Sequence, residues 1–144
     1  MKPKLFDLWR GLAYEVSRLS TCERTQVGAL LLSLDGERLL GFGYNGGPRG
    51  GRNEPEEDVV GGDFWIHAEA NALVKPRGME EFLMLLTHTP CVRCAGLIVN
   101  SQAKRVLCLD AYRDLAGFHL LQRLRGNVLV YNDAGRRDFL EWFQ

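Results

Sequence analysis

Cys91 and Cys94 stand two residues apart directly after Pro90, in "HTPCVRCAG" at 88–96, and no other feature constrains the fold as strongly. Cysteines with that gap can grip one ion. If Pro90 opens a helix, they lie three apart on one face near its N-terminus. Exposed amides and partial positive charge at that end favour thiolate over thiol. Two sulfurs suit zinc, and a third ligand leaves a fourth coordination position open for water. The fold must therefore bring a distant side chain to this helix end. "WIHAEANAL", at 65–73, offers His67, with the carboxylate of Glu69 two residues further on.

The spacing of His67 and Glu69 is informative. Residues two apart point to opposite sides of a helix, so in mid-helix they cannot serve one centre. At a first turn, both can reach past the helix end toward a common point. His67 then binds the ion while Glu69 stays off it, close enough to manage a proton of the bound water. Two other accounts of the cysteines stay open. A redox dithiol needs the same gap, although it usually follows the first strand of its domain. A closed structural zinc site needs a fourth ligand, and His88 can serve.

The remaining pattern predicts the frame. From Lys4 to Leu19, the residues Leu5, Leu8, Trp9, Leu12, Val16 and Leu19 recur at helical intervals. "VGALLLSL" (27–34) and "ERLLGFGY" (37–44) flank Asp35-Gly36, a hairpin signal whose two turn positions favour positive φ. Residues 45–63 are rich in glycine and proline and read as loop. A short helix is expected from Ile66 to Val74, ended by Pro76-Arg77-Gly78. "FLMLLTH" (82–88) reads as a buried strand, and a helix should run from Pro90 through Ser101. "RVLCL" (105–109) and "NVLVY" (127–131) read as strands on either side of a helix over 112–125, and "RRDFLEWF" as a terminal helix. A hairpin followed by alternating helices and strands implies one three-layer α/β domain over 1–144. Trp9 and Trp65 are expected in the core, and Trp142 in the core or at an interface.

Charge narrows the partners. Eighteen basic side chains balance eighteen acidic ones, so no strong overall field gathers nucleic acid or an anionic membrane. No apolar run approaches the ~20 residues of a membrane span, and "MKPKLFDLWR" lacks the apolar segment of a signal peptide. Four cysteines then read as thiols or metal ligands in a cytoplasmic protein.

With H-x-E and P-C-x-x-C both present, the chain resembles the zinc-dependent cytidine and deoxycytidylate deaminases. The resemblance runs from the helix before "VGALLL" to "NVLVY". It implies a cytidine-deaminase-like α/β/α fold, with a five-stranded mixed sheet, an N-terminal hairpin, and both signature helices aimed at the metal. By position it assigns His67, Cys91 and Cys94 to zinc and makes Glu69 the proton shuttle. "GYNGGPRG" (43–50), "HAEANAL" and "TCERTQVGALLL" are similar to the deoxycytidylate (dCMP) deaminases in particular. That likeness implies hydrolytic loss of ammonia from dCMP, giving dUMP for thymidylate synthesis.

It further implies Asn45 and Ala68 against the nucleoside. Tyr112, 18 residues after Cys94, would meet the phosphate, with Arg113 a weaker choice and Arg24 and Arg49 held in reserve. The loop of Gly43, Tyr44, Asn45, Gly46, Gly47, Pro48, Arg49 and Gly50 would join a second site, taking activating dCTP or inhibiting dTTP with Mg²⁺ in a homohexamer. Plainer roles compete: Tyr112 can cap a helix, Asn45 can serve its turn, and the glycines can shape a wall. Cys22 matches a ligand of a second zinc in some members, but 45–66 holds no cysteine or histidine. One zinc per chain follows, with Cys22 a buried thiol and Cys108 in the core. Two rival functions remain: deamination of another cytosine or adenine nucleotide or of a nucleic-acid base, and a non-catalytic zinc-containing nucleotide sensor. The intact Glu69 argues against the sensor.

Overall fold

The structure is a computed structural model that describes residues 1–53, 64–75, 78 and 80–144. Five strands, β1 (Gly28–Ser33), β2 (Leu39–Tyr44), β3 (Phe82–His88), β4 (Ala103–Asp110) and β5 (Val128–Val130), form one sheet in the order β2-β1-β3-β4-β5. β1 runs antiparallel to β2 and β3, whereas β3, β4 and β5 run parallel. The sheet is therefore mixed, with the hairpin at one edge.

Side-chain parity along β3 shows why its sequence is an unbroken apolar run. Phe82, Met84 and Leu86 pack with Ala68, Ala72, Ala95, Ile98 and Leu121. Leu83 and Leu85 pack on the other face with Phe6, Trp9, Tyr131 and Phe139. A strand covered on both faces has no position for an alternating polar residue. The first cluster draws in α2 (Ala68–Val74), α3 (Val92–Val99) and α4 (Ala116–Arg125). The second draws in α1 (Pro3–Ser17) and α5 (Tyr131–Phe143). Three layers result. At Gly43 a Cβ would fall 3.0 Å from the Ala72 Cα and closer still to the Ala68 carbonyl, so the missing side chain lets α2 lie directly on β2.

Several local expectations fail for physical reasons. Only Gly36 of the Asp35-Gly36 pair has positive φ (72°). The Ser33 amide bonds to the Arg38 carbonyl, and the Asp35 carboxylate accepts from the Glu37 amide at 2.9 Å, giving a longer loop tied by its own side chain. In α1 the helix ends at Ser17, and Leu8 and Leu19 are 57% and 55% exposed while Phe6 turns inward. Cys91, not Pro90, caps α3, which ends at Val99. Residues 112–115 precede α4 instead of joining it, and Tyr131 opens α5 instead of ending β5. Gly135 (φ 80°) breaks that last helical stretch. Lys75 is extended and ends α2, whereas Pro76, Arg77 and residues 54–63 of the glycine-rich stretch lie outside the described residues. No helix among the described residues is long and apolar enough to cross a membrane.

Candidate active site

His67 is the N-cap of α2, with extended backbone (φ −71°, ψ 154°), and Glu69 sits in that helix's first turn. This resolves the spacing problem, because the histidine has not yet entered the helix and both side chains can face one point. Paired hydrogen bonds between Gly46 and Ile66 hold the approach to His67. Cys91 caps α3 in the same extended way, and its sulfur accepts from the Cys94 amide at 3.5 Å.

The His67 Nδ1 lies 3.5 Å from the sulfur of Cys91 and 3.5 Å from that of Cys94. The three ligand atoms all fall within 4.8 Å of one another. Bond lengths of about 2.0–2.1 Å to nitrogen and about 2.3 Å to sulfur at tetrahedral angles require a nitrogen–sulfur separation of about 3.6 Å. The donor set fits zinc in type and spacing. His88 stands outside this cluster, the only one of its kind among the described residues, so the closed four-ligand account loses its fourth member.

Electrostatics follow from the same packing. Hydrogen bonds from Cys94 and His67 pull the Cys91 thiol down to about 3. That bond and burial push the Cys94 thiol up. The bond with Cys91 raises His67. Glu69 is only 4% exposed, and burial raises its carboxyl above the ordinary range. A carboxyl poised to hold a proton beside a metal site suits acid–base chemistry.

A cavity of about 580 Å³ opens over this floor and is lined by His67, Ala68, Glu69, Asn45, Tyr112 and Arg113, as well as Arg24 and His88. Asn45 is buried; its Oδ1 accepts from the Val27 amide at 2.8 Å and its Nδ2 donates to the Thr25 carbonyl at 2.7 Å. Its second amide hydrogen has no partner among the described residues. The Tyr112 amide donates to the Thr89 hydroxyl at 2.8 Å, and α4 is capped by Leu115, so Tyr112 is no helix cap. Of the 43–50 loop only Asn45 lines the cavity; Arg49 does not, and the backbone amides of Asn45 and Gly46 are taken by the carbonyls of Val27 and Ile66.

Cys22 is buried but borders the cavity, and Cys108 is fully buried. Trp9 is a core residue donating to the Gly36 carbonyl at 2.8 Å. Trp65 is half-buried and lines the cavity, against the expectation of a core position.

Two contributors gave no sign in the local pattern. Thr89 is one. The other is Gly117 in α4, where a Cβ would meet the Cys91 carbonyl oxygen at 2.6 Å. Its only signal is a glycine inside a helical stretch, which costs about 1 kcal/mol against alanine and so wants a reason. Gly117→Val should push the metal-binding turn aside. Overpacking of this kind costs about 1–3 kcal/mol, so zinc affinity should fall roughly ten- to a hundredfold. A competition titration with a chelator checks this, and an unchanged Kd would refute it.

Comparison with known proteins adds to the geometry. The family model of the cytidine and deoxycytidylate deaminase zinc-binding region matches residues 7–110. The deoxycytidylate deaminase of Mycobacterium phage D29 is 30% identical over 123 residues, spanning 74% of this chain and 94% of that one. The probable deoxycytidylate deaminase of Drosophila melanogaster is 33% identical over 124 residues, and the match covers 74% of this chain but 60% of the fly protein. Among solved structures, the dCMP deaminase of the cyanophage S-TIM5, crystallised with dCMP and dUMP, superposes with a TM-score of 0.80 at 31% identity. That match spans 91% of this chain and 99% of the cyanophage chain.

Proposed function

We propose, for a chain that belongs to the cytidine and deoxycytidylate deaminase family, the hydrolytic deamination of dCMP to dUMP. The observation that carries this reading is the His67–Cys91–Cys94 donor set beside a buried carboxylate, outside that set, on a cavity floor. The cyanophage relative's crystal structure with dCMP and dUMP supports the choice of nucleotide. So does the lining, in which Glu69 is the only carboxylate among the described residues and Arg24 and Arg113 supply positive charge for a phosphate. A neutral nucleoside would need neither arginine.

His67, Cys91 and Cys94 would hold Zn²⁺, which would leave one position for water and lower that water's pKa from 15.7 to about 7. Glu69 takes a proton from the attacking water and passes it to ring N3. A C4–O bond forms as the C4=N3 π electrons move onto nitrogen. Glu69 then carries the new hydroxyl's proton to the exocyclic amine. The C4–N bond breaks, ammonia leaves, and the C4 carbonyl of dUMP remains. Asn45 and the Ala68 backbone hold the nucleoside, and Tyr112 and Arg113 hold the phosphate.

The same reading extends to one deaminase domain over 1–144, a homo-oligomer, a cytoplasmic setting suited to four free thiols, and dCTP or dTTP acting with Mg²⁺ through the 43–50 loop. One ammonia-release assay covers these nucleotides. Among dCMP, CMP, dCTP and deoxycytidine, dCMP should be turned over fastest, with dCTP raising and dTTP lowering its rate. Release of ammonia only from single-stranded DNA or tRNA would replace the reading with base deamination in a nucleic acid.

A further inference from the structure

His88 is half-buried at the end of β3, lines the cavity, and has no part in the zinc cluster. Its Nδ1 lies 3.1 Å from the Thr87 Oγ1, and that oxygen already accepts from the Gly28 amide at 3.0 Å. Thr87 is fully buried, so its hydroxyl proton has no water to meet. A buried hydroxyl needs an acceptor, and Nδ1 provides one. With Nδ1 accepting, the neutral ring carries its proton on Nε2.

Tyr112 stands edge-on to the His88 ring, with centroids 6.4 Å apart and planes at 89°. The Arg113 guanidinium lies 5.7 Å from the centre of the Tyr112 ring. Three hydrogen-bond donors thus follow one another along the cavity wall: imidazole N–H, phenol O–H and guanidinium. A phosphate monoester is made of acceptors and matches such a row. The pyrimidine edge, which needs both donor and acceptor, is met instead at the floor by Glu69.

Resting on the dCMP reading above, we propose that His88 is a specificity-determining residue whose Nε2–H donates to the 5′-phosphate, with Thr87 as the positioning residue that fixes its tautomer. The test compares kcat/KM for dCMP and deoxycytidine in the zinc-loaded protein and in His88→Ala, His88→Asn and His88→Gln. Where nucleoside turnover is too slow to follow, the Kd values of dUMP and deoxyuridine give the same comparison. A hydrogen bond to a charged group sets the scale at about 10- to 100-fold. His88→Ala and His88→Asn should lower the dCMP value by that factor, and at least about tenfold more than the deoxycytidine value. His88→Gln should recover most of the loss, because its amide reaches the place of Nε2 while that of asparagine reaches only the place of Nδ1.

Equal losses on both compounds overturn the proposal, as does asparagine serving as well as glutamine. So does a ¹⁵N spectrum of the parent that places the His88 proton on Nδ1. A parent protein that releases no ammonia from dCMP removes the dCMP reading and this proposal together, whereas the pattern among the three variants bears on His88 alone.

Discussion

Glu69→Ala should purify with a full equivalent of zinc and turn over dCMP at least about 10²-fold more slowly than the parent. The carboxylate is buried beside the metal ligands but stands outside their cluster, so its removal leaves His67, Cys91 and Cys94 in place. What disappears is the proton's route. One group receives it from water, gives it to N3, and then delivers a second to the amine, and an unprotonated amine is a poor leaving group. Burial raises the carboxyl of Glu69 above the ordinary range, the direction that suits a group that both takes and gives a proton. Elemental analysis with single-substrate kinetics checks both halves. Normal turnover, or loss of zinc, would remove Glu69 from this role.

Cys94→Ala should do the opposite and lose the metal first. Structural zinc sites release about 10–16 kcal/mol over four ligands, or about 2.5–4 kcal/mol each, so one ligand fewer weakens binding by about 10²–10³-fold. Two ligands remain, His67 open to solvent and Cys91 half-buried. Turnover should fall with occupancy and recover in part under excess zinc. The fold itself should persist, because both apolar clusters close around the sheet and neither includes His67, Cys91 or Cys94. Zinc should raise the Tm of the parent, by mass action on the native state, and leave that of the variant nearly unchanged at the same concentration. A variant that keeps stoichiometric zinc through dialysis would show that the ion is held elsewhere.

The legible parts of this chain were those decided by local chemistry. "FLMLLTH" matches β3 residue for residue, since a strand buried on both faces leaves an unbroken apolar run. The clustering of His67, Cys91 and Cys94 was legible because H-x-E and P-C-x-x-C demand two helix starts facing each other, and the two N-caps, His67 and Cys91, provide them. What stayed hidden depends on contacts far along the chain. The start of α4 at Ala116 follows from Tyr112 bonding to Thr89, a partner 23 residues away. His88 stays open as a fourth ligand in the sequence because spacing cannot show that its ring turns toward Tyr112. Leu8 and Leu19 fit a helical stripe on paper, yet the rotation of α1 is fixed by how Phe6, Trp9, Ala13 and Val16 meet the sheet.

Thr89 joins two segments at once: its amide donates to the Asp110 carbonyl at 3.0 Å, and its hydroxyl takes the amide of Tyr112. The turn bearing Cys91 and the segment bearing Tyr112 are thereby clamped at a set separation, and the cavity becomes a gauge for molecular length. A stiff gauge should turn over dCMP and reject a triphosphate as substrate, so the dCTP arm of the ammonia assay also measures how stiff that clamp is.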